Sequence, residues 1–221
     1  MKLPNAPDTR LSKLLLCVMI LFATVSCDDD GEIETTGRDL DVVASSSMQW
    51  TGVAIGNNDR LFANFPNWSP EHTISVAEVS DTTNVTPYPN AEWNTWSAEL
   101  DPASHFICVQ SVFVDKDNFL WVLDPANPQR EGEYLGLVPG GAKLVKIDLA
   151  SNAVVQTIIL GEPVIETTSY LNDIRIDEEK QIGYITDSNE GALVVVDLNT
   201  GTARRHLAQD PTTKQRIEYC G

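Results

Sequence analysis

The chain lacks the short motifs that reveal the chemistry of most enzymes. Its 221 residues contain no C-x-x-C pair, no G-x-S-x-G nucleophile turn, no phosphate-binding glycine loop and no G-x-G-x-x-G dinucleotide motif. The three histidines, His72, His105 and His206, are isolated, so the H-x-x-x-H spacing of a zinc site is also missing. The sequence therefore predicts no catalytic residues of these familiar classes.

Basic residues are scarce as well. Lys and Arg number 15 against 32 Asp and Glu, which gives a formal net charge of −17 at pH 7. Proteins bind nucleic acids largely by neutralising phosphates with basic side chains. We therefore expect no nucleic-acid partner. The acidic excess is typical of a solvated surface, and it also suits a cationic or amine ligand.

Long apolar runs are confined to one place near the N terminus. An N-terminal segment with basic residues is followed by an apolar stretch over residues 14–25. The end of this stretch overlaps the sequence Thr24-Val25-Ser26-Cys27. This order is typical of a bacterial lipoprotein signal peptide over residues 1–27, because the apolar stretch is too short to span a membrane. Cys27 is the predicted lipidation site, and ordinary signal cleavage is the alternative. We expect a bacterial cell-envelope or secreted protein, anchored to the outer membrane or cell surface only through lipid.

Cysteine is rare, with four in the chain. Apart from Cys17 in the apolar stretch and Cys27, only Cys108 and Cys220 remain. These two are able to pair outside the cytoplasm, but Cys108 lies at the start of an apolar run and is equally suited to be a buried free thiol. Residues 28–48 are acidic and polar, which predicts a flexible tether, and the folded domain is expected over residues 49–221.

One sequence pattern occurs twice between residues 109 and 207. The runs Val109–Asp115 and Leu171–Asp177 are offset by 62 positions, and the runs Phe119–Asp124 and Ile182–Asp187 by 63. Alternating β-branched and aromatic residues predict strands, and a repeated four-stranded unit predicts a blade of a β-propeller. No segment has helical periodicity. The sequence therefore predicts an all-β fold of four-stranded antiparallel blades.

Three blades are predicted along the chain. The strands are expected at Gly52–Ile55, Arg60–Phe65 and Ile74–Val79 in a degenerate first blade, at Cys108–Asp115, Phe119–Asp124, Lys143–Leu149 and Val154–Leu160 in the second, and at Leu171–Ile176, Ile182–Thr186, Ala192–Leu198 and Thr202–Leu207 in the third. Gly56-Asn57-Asn58-Asp59 predicts a hairpin turn. Residues 80–104 are expected to be a long connection and residues 125–141 a loop.

Three blades are fewer than a closed propeller needs, because closure removes the exposed sheet edges and takes at least four blades. We therefore expect the chain to be the front part of a longer propeller. An open blade face would favour self-association.

Several short sequence segments occur in the order in which they are found in a known protein family. They are Trp50-Thr51-Gly52-Val53-Ala54, Pro87-Tyr88-Pro89-Asn90, Val109-Gln110-Ser111-Val112, Leu120-Trp121-Val122-Leu123-Asp124, Leu171-Asn172-Asp173-Ile174 and Tyr184-Ile185-Thr186-Asp187-Ser188. On these residues the chain resembles the major royal jelly protein/Yellow family. The resemblance implies a six-bladed propeller, of which about three blades are present. Members include pigmentation proteins, nutritive jelly proteins and salivary proteins that bind biogenic amines, so the resemblance implies binding of a small ligand.

Polar residues at the starts of the predicted innermost strands form the candidate site. Asn172 and Asp173 begin the third blade, and Gln110 and Ser111 hold the corresponding places in the second. Asn172 and Asp173 also resemble the cation-binding position of gluconolactonase-type propellers, which implies a divalent cation, Ca²⁺ or Zn²⁺. Glu166 and Asp187 are further candidate ligands. The alternative is that Asn172 and Asp173 only satisfy backbone groups.

Aromatic and acidic residues elsewhere in the chain are further candidates for ligand binding. Trp93, with Tyr88 and Trp96, is a candidate aromatic wall for an amine, and packing is the alternative. Asp124 and Asp187 follow apolar strands, and Asp187 is a candidate ligand-binding residue. A further set of aspartates recurs at strand ends and is expected to initiate turns; its members are Asp115, Asp148, Asp177 and Asp197.

Two functions follow from these observations. The first is a lipid-anchored, Yellow-like propeller that binds a small molecule. The alternative is a metal-dependent hydrolase of the lactonase type, which rests on Asn172 and Asp173.

Overall fold

The structure is a computed structural model, and it describes residues 41–213. This part of the chain contains three four-stranded sheets, one two-stranded sheet, two 3-10 turns and no α-helix. The strands are β1 Gly52–Ile55, β2 Leu61–Asn64, β3 Val76–Val79, β4 Val85–Pro87, β5 Ser111–Val114, β6 Phe119–Asp124, β7 Gln129–Arg130, β8 Glu133–Tyr134, β9 Lys143–Asp148, β10 Ala153–Ile159, β11 Leu171–Asp177, β12 Ile182–Asp187, β13 Ala192–Asp197 and β14 Ala203–His206. The all-β prediction is confirmed.

The strand order makes each large sheet a propeller blade. Blade 1 is β1-β2-β3-β4, blade 2 is β5-β6-β9-β10 and blade 3 is β11-β12-β13-β14, with antiparallel neighbours throughout. The first strands of successive blades lie side by side, since β5 contacts both β1 and β11. Meandering sheets whose first strands adjoin are the arrangement of a β-propeller, with the first strand of each blade innermost.

Local sequence explains the first hairpin. Asn58 and Asp59 take positive φ angles of 58° and 57°, a conformation that Asn and Asp tolerate better than other side chains. The turn sets the pairing of β1 with β2, in which Gly52 lies opposite Asn64. The predicted hairpin at residues 56–59 is confirmed.

The core lies between the blades. Phe62, Val112 and Val145 fill the space between blades 1 and 2, and Trp121, Ile174 and Val194 fill the space between blades 2 and 3. Burying a large apolar side chain contributes about 1.5–3 kcal/mol. The inner strands β5 and β11 are therefore packed through Val112 and Ile174, and polar side chains occur near their starts.

Four details differ from the prediction. Blade 1 has a fourth strand, Val85–Pro87, within the predicted connection, and the predicted loop of blade 2 contains the β7-β8 hairpin. Strand β5 begins at Ser111 rather than Cys108, because the Asp124 carboxylate accepts the Ile107 and Cys108 amides in place of a ladder partner. In the predicted tether, the Ser45 amide donates to the Thr82 carbonyl, 2.8 Å away.

Within residues 41–213, no helix is long and apolar enough to cross a membrane. The predicted signal peptide, the lipidation site Cys27 and the second candidate disulfide cysteine, Cys220, lie outside the described residues. Cys108 is a fully buried free thiol.

Candidate functional site

A β-bulge opens the innermost strand of blade 3. Leu171 pairs with Asp187 and Ile174 pairs with Ile185, so β11 carries one extra residue at Asn172 and Asp173. The Asp173 amide donates instead to the Thr186 hydroxyl, 3.2 Å away. A bulge turns side chains out of strict alternation and is common beside functional sites. Here it lets both Asn172 and Asp173 face blade 2.

The Asp173 carboxylate is held at one oxygen and open at the other. Its Oδ1 accepts from the Ser111 hydroxyl at 2.7 Å, from the Ile174 amide at 2.9 Å and from the Arg175 guanidinium at 2.9 Å. Among the described residues, no donor contacts Oδ2, and the side chain is 48% exposed. Three donors on one oxygen fix the carboxylate plane, so Oδ2 is a preorganised acceptor.

Asn172 and Gln110 form the second contact between the inner strands. Gln110 Nε2 donates to Asn172 Oδ1 at 3.1 Å, and Gln110 Oε1 accepts from the Tyr170 hydroxyl at 2.8 Å. The Tyr170 oxygen in turn accepts from Trp68 Nε1 at 2.9 Å. This relay fixes the orientation of the Gln110 amide and, through it, that of Asn172. Gln110 with Asn172 and Ser111 with Asp173, which hold corresponding places in the two blades, are thus hydrogen-bonded to each other.

Two groups near the relay are held in their protonated forms by burial. Burial raises the pKa of the Tyr170 hydroxyl well above its usual range. Burial likewise raises the pKa of the Cys108 thiol to about 12, with the nearby Asp124 charge adding to the shift. A nucleophilic cysteine needs a lowered pKa, so Cys108 is a structural residue here.

Asp187, a predicted ligand-binding residue, lies in the interior. It is 2% exposed, its Oδ1 accepts from the Tyr170 and Glu190 amides, and its Oδ2 accepts from Arg205 at 2.7 Å. Burial by itself would raise the pKa of Asp187, but hydrogen bonds from Ser169, Arg205 and the two amides outweigh it and hold the pKa below its usual range. Both oxygens are thus used by contacts within the chain.

The predicted aromatic residues are used in packing. The Trp93 ring packs on Phe106 with centroids 5.0 Å apart. Tyr88 is buried, packs on Phe62 and donates to Asn152 Oδ1 at 3.0 Å. Trp96 packs against the apolar core between blades 2 and 3. As a ligand-binding residue, Trp93 stays a prediction.

The described residues hold no group of three or more His, Cys, Asp or Glu side chains placed to bind a metal ion together. Glu166, a candidate metal ligand, lies 3.3 Å from the Nε of Arg205. The oxygens brought together at the bulge belong to one carboxylate, one amide and one hydroxyl, those of Asp173, Asn172 and Ser111.

The four aspartates expected to initiate turns do so. Their carboxylates accept backbone amides two to four residues later, as seen for Asp115 with Phe119, Asp148 with Ala150, Asp177 with Lys180 and Asp197 with Asn199. This prediction is confirmed.

Sequence reasoning missed Tyr170 and Trp68. Tyr170 lies two residues before Asn172, just as Cys108 lies two residues before Gln110. The Tyr170 amide donates to Asp187, and the Cys108 amide donates to Asp124. The repeat therefore marked position 170 as an interior residue, but nothing marked its hydroxyl as a partner of Gln110. Trp68 comes from the β2–β3 loop of blade 1, for which the repeat offers no counterpart.

A separate cleft of about 450 Å³ is lined by residues of the β2–β3 loop and the preceding segment, among them Met48, Phe65, Trp68, Glu71 and His72. Some of its polar groups already have partners, because His72 Nε2 contacts the Phe65 carbonyl and Ser69 donates to Glu71. The bulge of β11, where an acceptor is open, is the better candidate site.

The family model described as "Major royal jelly protein" matches residues 107–215. The match begins just before β5 and covers blades 2 and 3, including Gln110, Asn172 and Asp173. No curated protein matches the chain.

Solved structures with similar backbones come from several bacteria. Hydrazine synthase of Kuenenia stuttgartiensis has a TM-score of 0.44 and 15% identity over 80% of this chain and 39% of its own length. An auxiliary nutrient binding protein from Bacteroides ovatus has a TM-score of 0.46 and 11% identity over 74% of this chain and 32% of its own length. Virginiamycin B lyase from Staphylococcus aureus has a TM-score of 0.46 and 8% identity over 75% of this chain and 43% of its own length. The chain thus spans less than half the length of each.

Proposed function

Residues 107–215 of this chain belong to the major royal jelly protein family, and on that premise we propose that the protein binds a small, amine-bearing molecule at the bulge of β11. The observation that carries the proposal is the Asp173 carboxylate, which is half exposed, fixed through Oδ1 and open at Oδ2.

The chemistry of the bulge favours a hydrogen-bond donor with positive charge. An ionised carboxylate forms stronger hydrogen bonds with charged donors than with neutral ones. Arg175 meets Oδ1 only and is 69% exposed, so it leaves Oδ2 for the ligand. The high net negative charge, −17, would also attract a cation over a long range.

Thermal melting of the full chain with a panel of small amines, including catecholamines, tests the proposal. A ligand that binds only the folded state raises the melting temperature. We expect at least one amine to do so, and we expect Asp173→Asn to weaken its affinity about tenfold or more, since a hydrogen bond to a charged group is lost. Asp177→Asn is the matched control, because Asp177 ends the same strand and contacts Lys180 in an exposed turn.

The result that would contradict the proposal is an amine effect that survives Asp173→Asn, or no amine effect at all. Ca²⁺ and Zn²⁺ belong in the same experiment. If a metal raised the melting temperature, and Asn172→Ala and Asp173→Ala each abolished the rise, the lactonase-type hydrolase would replace the amine binder.

The location of the protein in the cell envelope is a proposal that rests on residues 1–27. Metabolic labelling with a fatty acid, compared between the wild type and Cys27→Ala, tests the lipid anchor. A label retained in Cys27→Ala would contradict it. Sedimentation of the full chain tests the predicted self-association.

A further inference from the structure

A second cleft lies where the β7–β8 hairpin of blade 2 meets the β2–β3 loop of blade 1. Its volume is about 510 Å³, which is in the range of pockets that hold small molecules. The two elements and the connection that follows β4 line it, and Trp96, Arg130 and Leu135 are among the lining residues. The cleft thus combines an aromatic and an aliphatic side chain with a guanidinium group.

The guanidinium of Arg130, a partly buried residue, is anchored at one nitrogen. Nη1 donates to the Asn67 carbonyl at 3.1 Å, to Asn67 Oδ1 at 3.0 Å and to the Gln129 carbonyl at 2.6 Å. Asn67 is itself held, because its Nδ2 donates to the Ile107 carbonyl at 3.0 Å and its carbonyl accepts from the Gln129 amide at 3.0 Å. These contacts fix the plane of the guanidinium, and its other edge, Nε and Nη2, has no acceptor among residues 41–213.

Arg130 also differs from three other arginines of the chain in its lack of a carboxylate partner. Arg60, Arg175 and Arg205 each form an ion pair of 2.7–2.9 Å. Arg130 forms none with any described residue, although Glu133 lies opposite it in the hairpin. In a chain with 32 acidic residues, a fixed guanidinium in a cleft is thus left without an anion.

The chemistry of the cleft favours an anion with a single charge. Burial lowers the pKa of His72, the other basic side chain of the lining, so its imidazole is neutral at pH 7 and Arg130 is the only charged group among the described lining residues. Nε and Nη2 present two parallel N–H groups, which a carboxylate accepts with its two oxygens. A phosphate monoester carries up to about two negative charges at pH 7, and one guanidinium balances only half of them.

We propose that this cleft binds a small monocarboxylate with an apolar body, such as an aryl or alkyl carboxylate. The carboxylate oxygens accept from Nε and Nη2 of Arg130, and the apolar body lies against Trp96 and Leu135, which line the same cleft. The cleft shares no lining residue with the bulge of β11, so this site is independent of the proposed amine site.

NMR titration of the full chain with benzoate, compared with benzamide as its neutral analogue of similar shape, tests the proposal. We expect benzoate to bind at least about tenfold more tightly, as hydrogen bonds between charged groups would give. Arg130→Gln should abolish this preference, and Arg130→Lys, which keeps the charge but loses the two-donor edge, should restore only part of it. Arg204→Gln is the control that should keep the preference, because Arg204 is an exposed arginine of β14 that does not line the cleft.

A second readout uses the wild type and does not depend on the folding of a variant. The Arg130 Nε–H resonance should shift when benzoate is added and stay unchanged with benzamide. Equal affinities for the two compounds, an unshifted Nε–H resonance or a benzoate preference that survives Arg130→Gln would overturn the proposal. Inorganic phosphate that bound more tightly than benzoate would overturn the assignment of a carboxylate ligand.

Discussion

Blades 2 and 3 each contain a buried aspartate at the equivalent position, and they differ in the cation that neutralises it. Asp124 ends β6 and accepts the amides of Ile107 and Cys108, while Asp187 ends β12 and accepts the amide of Tyr170. Each carboxylate therefore ties the segment that precedes the innermost strand to the second strand of its own blade. The starts of β5 and β11, where the candidate site lies, owe their positions to these contacts.

The counter-charges of the two blades come from different strands. In blade 2, Lys143 begins β9 and lies 2.9 Å from Asp124, with both side chains fully buried. In blade 3, Arg205 comes from β14 and lies 2.7 Å from Asp187. Arg205 Nε lies 3.3 Å from Glu166 and Nη1 also donates to the Val164 carbonyl, but Nη2 is buried without a hydrogen-bond partner among the described residues. Lys143 Nζ also donates to the Gly141 carbonyl. Blade 2 has the more completely satisfied pair.

The largest expected effect is that of Lys143→Met. The substitution keeps the volume but leaves Asp124 buried without its cation, and breaking a buried ion pair in this way costs about 3–5 kcal/mol. Urea denaturation of the full chain measures the loss. The double variant Asp124→Asn with Lys143→Met should recover part of the stability, because no unpaired charge remains. Equal losses in the single and double variants would mean that the unpaired charge of Asp124 is not the cause of the loss.

The repeat made the blades predictable, because alternation marks each strand and the offset of about 62 residues aligns the blades. It also aligned Asp124 with Asp187. It did not reveal their cations, because Lys143 and Arg205 occupy different strands and have no common place in the repeat. Strand Val85–Pro87 escaped prediction because three residues give no periodicity.

The candidate site was predictable in part for a similar reason. Gln110 with Asn172 and Ser111 with Asp173 are equivalent positions, so a shared location follows from the fold. The bulge at Asn172 and Asp173 is a matter of pairing between strands and leaves no mark in the sequence of β11.

A smaller effect is expected for Arg205→Met in blade 3. Asp187 loses the charged hydrogen bond from Arg205 and keeps two backbone amides, much as Asp124 keeps three, and Glu166 loses its ion pair with Nε. The difference from blade 2 is that Arg205 is 9% exposed whereas Lys143 is fully buried, and that Nη2, which has no hydrogen-bond partner among the described residues, disappears with the substitution. A hydrogen bond to a charged group contributes about 1.5–3 kcal/mol, so the loss should be smaller than that for Lys143→Met. Urea denaturation under the same conditions compares them. A loss larger than that of Lys143→Met would reverse the ranking of the two blades.

The smallest effect is a dependence of stability on pH that belongs to Asp187. Its pKa is held below the usual aspartate range, so the ionised form stabilises the folded state. This contribution is complete above the unfolded pKa of about 3.9 and is lost as the pH falls from there through the lower pKa of the folded state. Urea midpoints measured from pH 6 to pH 3 should therefore fall more steeply for the wild type than for Asp187→Asn, because the amide does not titrate. Parallel pH profiles for the two proteins would show that Asp187 is not stabilised in its ionised form.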